Sequence, residues 1–178
     1  MSSNLVWIDL EMTGLDLVNE RIIEIATIIT DSDLNVLSEG PTLAIKQERV
    51  FFENMDEWNQ EHHGKSGLLD RIALEGVLQK EAEAMTLAFI SKFVSQGEAP
   101  LCGNSIWQDR RFLGQYMPVL ESYLHYRIID VSSIKELANR WRPELQHQLK
   151  KSMAHSALID IRESIEELKV YRENFFRL

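Results

Sequence analysis

Two acids inside a buried strand constrain this chain more than any other feature. Leu5, Val6, Trp7, Ile8, Leu10 and Met12 form a nearly continuous apolar run, the pattern of a strand covered on both faces. Asp9 and Glu11 interrupt it. Side chains at i and i+2 project from one face of a strand, roughly 6.5–7 Å apart. Two carboxylates placed this way repel each other and lose hydration, so a compensating charge is needed. A divalent cation meets that need, because hard oxygen ligands suit magnesium or manganese. The competing reading is an edge strand whose acidic face meets water. The apolar surroundings and the Thr13-Gly14 turn that follows weigh against it.

The totals narrow the rest. A chain of 178 residues fits one domain with one sizeable core. Its formal net charge of -9 argues against a protein that grips long duplexes by neutralising phosphates. That charge still allows a nucleotide substrate brought in through bound metal ions. The lone cysteine, Cys102, lies in an apolar run and reads as a buried thiol. No basic segment leads into an apolar core at the start, and no stretch reaches the ~20 apolar residues that span a bilayer. A cytoplasmic protein with no membrane contact is expected.

Along the chain, Arg21 to Thr30 is isoleucine-rich and reads as a second strand, and Val36 to Lys46 as a third, interrupted near Gly40-Pro41. Short turns between them predict an antiparallel meander. Helices are expected at Asp56 to Gly64, at Ser66 to Leu74 with Ser66 as its cap, and along a stripe of Leu78, Ala82, Met85, Phe89 and Phe93. Ala99 to Gly103 and Arg127 to Val131 read as short strands. Asp109 to Leu120 reads as a helix, Ser132 as the cap of one running to Trp141, and His155 to Arg172 as the last long helix. The expected fold is α/β: a mixed five-stranded sheet, β1–β3 an antiparallel meander and the later strands parallel, with helices on both faces. In such sheets sites collect at the carboxyl ends of strands, where Glu11 and Asn104-Ser105 fall.

Two further acids lie near those ends. Asp109 sits in the first turn of its helix, where the dipole favours an anion, and by itself reads as a cap. Asp160 shares a helix face with Ala157, Ser164 and Glu167 at ~100° per residue, a face equally compatible with solvent. His155 is about 140° from Asp160 on an ideal helix, so it is placed at the helix mouth or in the preceding loop. A loop histidine with an unperturbed pKa near ~6.5 can take a proton from water.

Together, Asp9-x-Glu11, Asp109 and His155-x4-Asp160 resemble the DEDDh-type 3′→5′ exonucleases, which have a ribonuclease H-like fold. The stretches IDLEMTGLD, GNSIWQDRRFL, HYRIIDVSSIKELANRW and HSALIDIRESIEELKVYR are similar to those of the oligoribonuclease family within that group, and the similarity runs from about Leu5 to Arg172 of a single exonuclease domain, 1–178. Ile159 departs from the pattern, since the family usually has an aspartate there.

The resemblance implies two divalent ions, magnesium or manganese, held by Asp9, Glu11, Asp109 and Asp160, with His155 as general base. It implies Leu15 as a wedge between two bases, and Trp58 and His63 at the 3′ nucleotide with Ser105 and Gln108 beside the site. Arg127, Ser132 and Ser133 would cap a 5′ phosphate, limiting the substrate to diribonucleotides and very short single-stranded RNA. Tyr126 would come from the partner subunit of a homodimer. Without the resemblance, Trp58, Arg127 and Tyr126 read as core packing, a surface salt bridge and an interface hydrogen bond. Rival readings are a proofreading-type exonuclease on single-stranded DNA and a non-catalytic dimeric nucleotide-binding module.

Overall fold

In the computed structural model, which describes residues 3–148 and 156–177, the acid-bearing strand lies at the centre of the sheet. β1 (Leu5–Met12) pairs antiparallel with β2 (Ile22–Thr30), from Leu5 opposite Thr30 to Glu11 opposite Glu24. On its other side β1 pairs parallel with β5 (Leu101–Gly103), which pairs parallel with β6 (Ile128–Asp130). β3 (Val36–Glu39) and β4 (Leu43–Ala44) both pair antiparallel with β2. The order is β3-β2-β1-β5-β6, with β4 beside β2.

The sheet therefore has six strands rather than five, because the third expected strand is split. Pro41 has no N–H to give a ladder, and the Gly40 N–H turns to the Thr27 carbonyl at 2.8 Å. A Cβ on Gly40 would come within 2.6 Å of the Phe89 ring, so the helix above fixes glycine at the break.

Strand alternation sorts β1 into two faces. Val6, Ile8 and Leu10 pack with residues of α4 (Gln79–Ile90), α5 (Ile106–Tyr116) and α6 (Pro118–Tyr123). Trp7 packs on the opposite face with α7 (Val131–Trp141) and α8 (Ala157–Asn174). Asp9 and Glu11 share the Trp7 face, so both carboxylates point toward α8. Three shorter helices, α1 (Arg49–Glu53), α2 (Glu57–Lys65) and α3 (Leu68–Glu75), lie between β4 and α4 in the chain.

Local corrections have local causes. α3 starts after Gly67 at φ 76, a left-handed position suited to glycine, and not at Ser66. Asp130, not Ser132, caps α7: its carboxylate accepts the Ser132 N–H at 2.9 Å. The helix expected from Asp109 to Leu120 breaks at Met117-Pro118 into α5 and α6, with Pro118 in the first turn of the second. In α4 the buried positions are Ala82, Thr86 and Ile90, while Leu78 and Met85 are exposed. No helix among the described residues is long and apolar enough to cross a membrane.

Candidate active site

Three elements bring the acids together at the carboxyl end of β1. Asp9, Glu11 and Asp160 each offer an oxygen within 4.8 Å of the others. Asp160 stands in the first turn of α8, whose start is anchored to the sheet: the Ala157 N–H donates to Glu24 Oε2 at 3.0 Å. The Ala157, Ser164 and Glu167 face proves to be buried, not solvent-facing. Asp109 enters from α5. β5 stops at Gly103, and beyond it the Leu10 N–H donates to Asp109 Oδ1 at 3.0 Å. Asp109 is thus no simple cap; it is buried against β1.

Burial and mutual repulsion dominate the electrostatics of the clustered acids. Burial, then the neighbouring charges of Asp109, Glu11, Asp160 and Glu24, pushes the Asp9 carboxyl well above the usual range. Burial first and the surrounding acids second raise Glu11 to about 8. Burial raises Asp109 to about 7, against the lowering effect of the Leu10 N–H. Arg71, the cation drawn to this region, is paired with Glu24. A set of clustered oxygens that resists ionisation on its own is the donor set for a hard divalent ion.

A pH dependence follows. Glu11 and Asp109 hold protons more tightly folded, at about 8 and about 7, than at their ordinary 4.5 and 3.8. Their contribution to stability is full below the ordinary values and is lost as pH rises through the folded ones. Asp9 acts in the same sense. His63, kept neutral by burial, opposes it over part of the range, one group against three. Asp16, Asp31 and Asp56 are shifted downward by local hydrogen bonds and act only at more acidic pH. The melting temperature of chelator-treated protein is expected to fall between about pH 5 and about pH 8, and magnesium or manganese to restore it most at the alkaline end. A melting temperature that climbs over this window without metal would contradict the reading.

The turn after β1 is fixed around the cluster. The Arg21 N–H donates to Thr13 Oγ1 at 3.0 Å, Thr13 donates to Glu20, and Gln108 Nε2 reaches the Leu15 carbonyl at 3.3 Å. Leu15 is 66% exposed and lines two clefts. One, about 410 Å³, is lined by Asp9, Ser105, Gln108 and Asp109 among others; the second, about 550 Å³, by Glu11, Trp58 and Asn59. Leu15 is thus an apolar side chain shared by two neighbouring clefts, each touching the acids. Trp58 is exposed and stacks on His62, ring centroids 4.7 Å apart. His63 is buried, its Nε2 2.9 Å from the Met12 carbonyl and its Nδ1 3.9 Å from Glu11.

Ser105 and Ser132 meet at the ends of β5 and β6. Ser105, at φ 50, donates its N–H to Asp130 Oδ1 and to Ser132 Oγ, both at 2.9 Å, while Ser132 Oγ donates to Asn104 Oδ1 at 3.0 Å. Asn104 continues to Ser164 Oγ at 2.7 Å, and Ser164 Oγ donates to the Asp160 carbonyl at 2.8 Å. A single polar path therefore joins the two serines to the acid-bearing turn of α8. Tyr126, Arg127 and Ser133 are exposed, the Arg127 guanidinium lying 5.4 Å from the Tyr126 ring centre. Ile159 is partly buried. His155 lies outside the described residues.

Glu24 and Asp130 were not singled out from the sequence. Glu24 carried the same signal as Asp9 and Glu11, an acid inside an isoleucine-rich strand.

A mixed sheet whose central strand and two flanking helices deliver clustered carboxylates to one strand end defines an exonuclease-class protein. The family RNase_T, described as "Exonuclease", matches residues 6–168. Solved structures share the fold. Exonuclease I from Methylocaldum szegediense has a TM-score of 0.72 at 21% identity, over 96% of this chain and 40% of that one. E. coli Exonuclease I in complex with a 5cy-dT13 oligonucleotide gives 0.74 at 18% identity, over 98% and 41%. This chain thus spans about two-fifths of those two proteins' length. Curated relatives match end to end: the oligoribonuclease of Shewanella loihica is 56% identical over 176 residues, 99% of this chain and 97% of that one. That of Pectobacterium atrosepticum is 57% identical over 176 residues, 99% and 98%. The chain belongs to the oligoribonuclease family.

Proposed function

We propose that the protein is a 3′→5′ exoribonuclease that hydrolyses diribonucleotides and very short oligoribonucleotides to nucleoside 5′-monophosphates. The observation that carries this is the convergence of Asp9, Glu11 and Asp160, with Asp109 beside them, on clefts divided by Leu15. Two divalent ions, magnesium or manganese, bound there would supply charge stabilisation for the attacking and leaving oxygens of an in-line displacement. Asp9, Glu11 and Asp160 would hold one, and Asp9 with substrate oxygens and water the second, with Asp109 binding through water or completing the shell. His155 takes the proton from the attacking water. Leu15 separates the two bases, and Trp58 offers a stacking face that ignores base identity. His63 contacts the 3′ nucleotide, and Ser105 and Gln108 border it.

Arg127 and Ser133, exposed and free to meet solvent-borne phosphate, cap the 5′ end. Ser132 is bonded to Ser105 and Asn104, which supports a part in shaping that cap. Tyr126, 73% exposed, is offered to a second copy of the chain in a homodimer. A cytoplasmic location accords with substrates that arise where RNA is degraded.

The alternative, exonuclease action on long single-stranded DNA, draws on the fold likeness to Exonuclease I. The net charge of -9 favours the short substrate. Rates on a diribonucleotide, a longer RNA and a single-stranded DNA decide between them: the diribonucleotide is expected to be cut fastest. Faster cutting of either long strand would overturn the assignment.

A further inference from the structure

The acidic cluster adjoins a second group that shares one of its members. Glu11, His62 and His63 each present a ligand atom within 4.8 Å of the others. His63 is 2% exposed, and its Nδ1 forms no hydrogen bond among the described residues. The carbonyl of Met12, 2.9 Å from Nε2, can only accept, so Nε2 carries the proton and Nδ1 is a bare lone pair directed toward Glu11, 3.9 Å away. Metal-binding histidines characteristically have this arrangement: one ring nitrogen tied to a backbone carbonyl, the other facing the ion. His62 precedes it on α2, with the two rings 5.3 Å apart at 78°.

We propose that Glu11, His62 and His63 form a site for a transition-metal ion such as zinc, separate from the all-oxygen cluster and sharing only Glu11 with it. Two imidazoles and a carboxylate are a recognised zinc set, whereas magnesium demands six oxygens. Tetrahedral ligands at ~2.0–2.1 Å stand roughly 3.3 Å apart, so ion binding requires Glu11 and His62 to close on the buried His63, His62 by leaving its stack on Trp58. Zinc bound there draws Glu11 away from Asp9 and Asp160 and occupies the cleft beside Trp58. It is therefore an inhibitor of magnesium-dependent hydrolysis. That consequence rests on the nuclease reading above; the existence of the site does not.

Calorimetric titration of zinc into the chelator-treated full chain tests it. Asp160→Asn weakens the oxygen cluster, and the part of the remaining zinc binding that belongs to the histidine site is the part lost with His62→Gln. This binding is expected to persist in excess magnesium and to weaken by at least about tenfold when His62→Gln is added. Zinc should also move the ring-nitrogen resonances of His62 and His63 in the otherwise native chain, a readout independent of any substitution. Equal zinc affinity with and without His62→Gln, displacement by magnesium, or unmoved histidine resonances would each overturn the proposal. If the protein cuts RNA, His62→Gln also raises the zinc concentration for half-inhibition by a similar factor. Absence of nuclease activity would count against the function proposed above and leave the titration to be read alone.

Discussion

Asp9→Asn is expected to lower metal-dependent hydrolysis of a diribonucleotide by at least about 10³-fold while raising the melting temperature of the metal-free protein. Both effects come from the same carboxylate. Asp9 is pressed by burial and by four neighbouring acids, so its charge costs stability whenever no cation answers it. Asparagine keeps the shape, removes the charge and relieves Glu11, its neighbour on the same strand face. The same change removes the one carboxylate assigned to both ions, so the loss of rate should exceed that from Asp109→Asn. Steady-state kinetics with and without chelator, paired with thermal melts, measure the two arms. Unchanged turnover, or activity that survives a chelator, would sink the metal reading. A melt lowered without metal would show that Asp9 stabilises the fold and is not strained by it. The trade is the familiar one of a site kept at the expense of stability.

His155→Ala should slow turnover by ~10²–10⁴-fold, the usual scale for a lost general base, with metal affinity unchanged. His155 is two residues before Ala157, whose N–H is held by Glu24 opposite Glu11 on the neighbouring strand. The pH–rate profile carries the sharper information. An imidazole base gives a limb near ~6.5 that the variant should lose, leaving a flatter dependence set by the carboxylates and their ions. Calorimetry that finds metal binding lost with His155→Ala would reassign the residue as a ligand.

Much of the fold was legible because the pattern was local. Alternation in β1 and β2 and the change of period after Asp56 identify the elements, and the isolated acids in β1 point at the site before any contact is known. The elements that were misread depended on neighbours. The inward stripe of α4 is set by the sheet it covers. Asp109 and Asp160 were ambiguous for the same reason. Each is an ordinary helix-start acid until β1 is placed beside it, and no spacing within α5 or α8 distinguishes a cap from a ligand. Glu24 was passed over although its surroundings in β2 are as apolar as those of Asp9. Its role becomes visible through its two distant partners, Arg71 and Ala157, the latter 133 residues away.

That last contact bears on how the molecule comes into being. β1 is made first and α8 last, and the acid cluster exists only once the two touch. During synthesis the emerging sheet carries Asp9 and Glu11 without Asp160, so the acid cluster is incomplete until the last helix is made. Glu24 waits in β2 with one oxygen for Arg71 and the other for the first turn of α8. Docking of this helix therefore completes both the core and the acid cluster. A divalent ion held by these acids would bind only the closed form and so stabilise the finished fold.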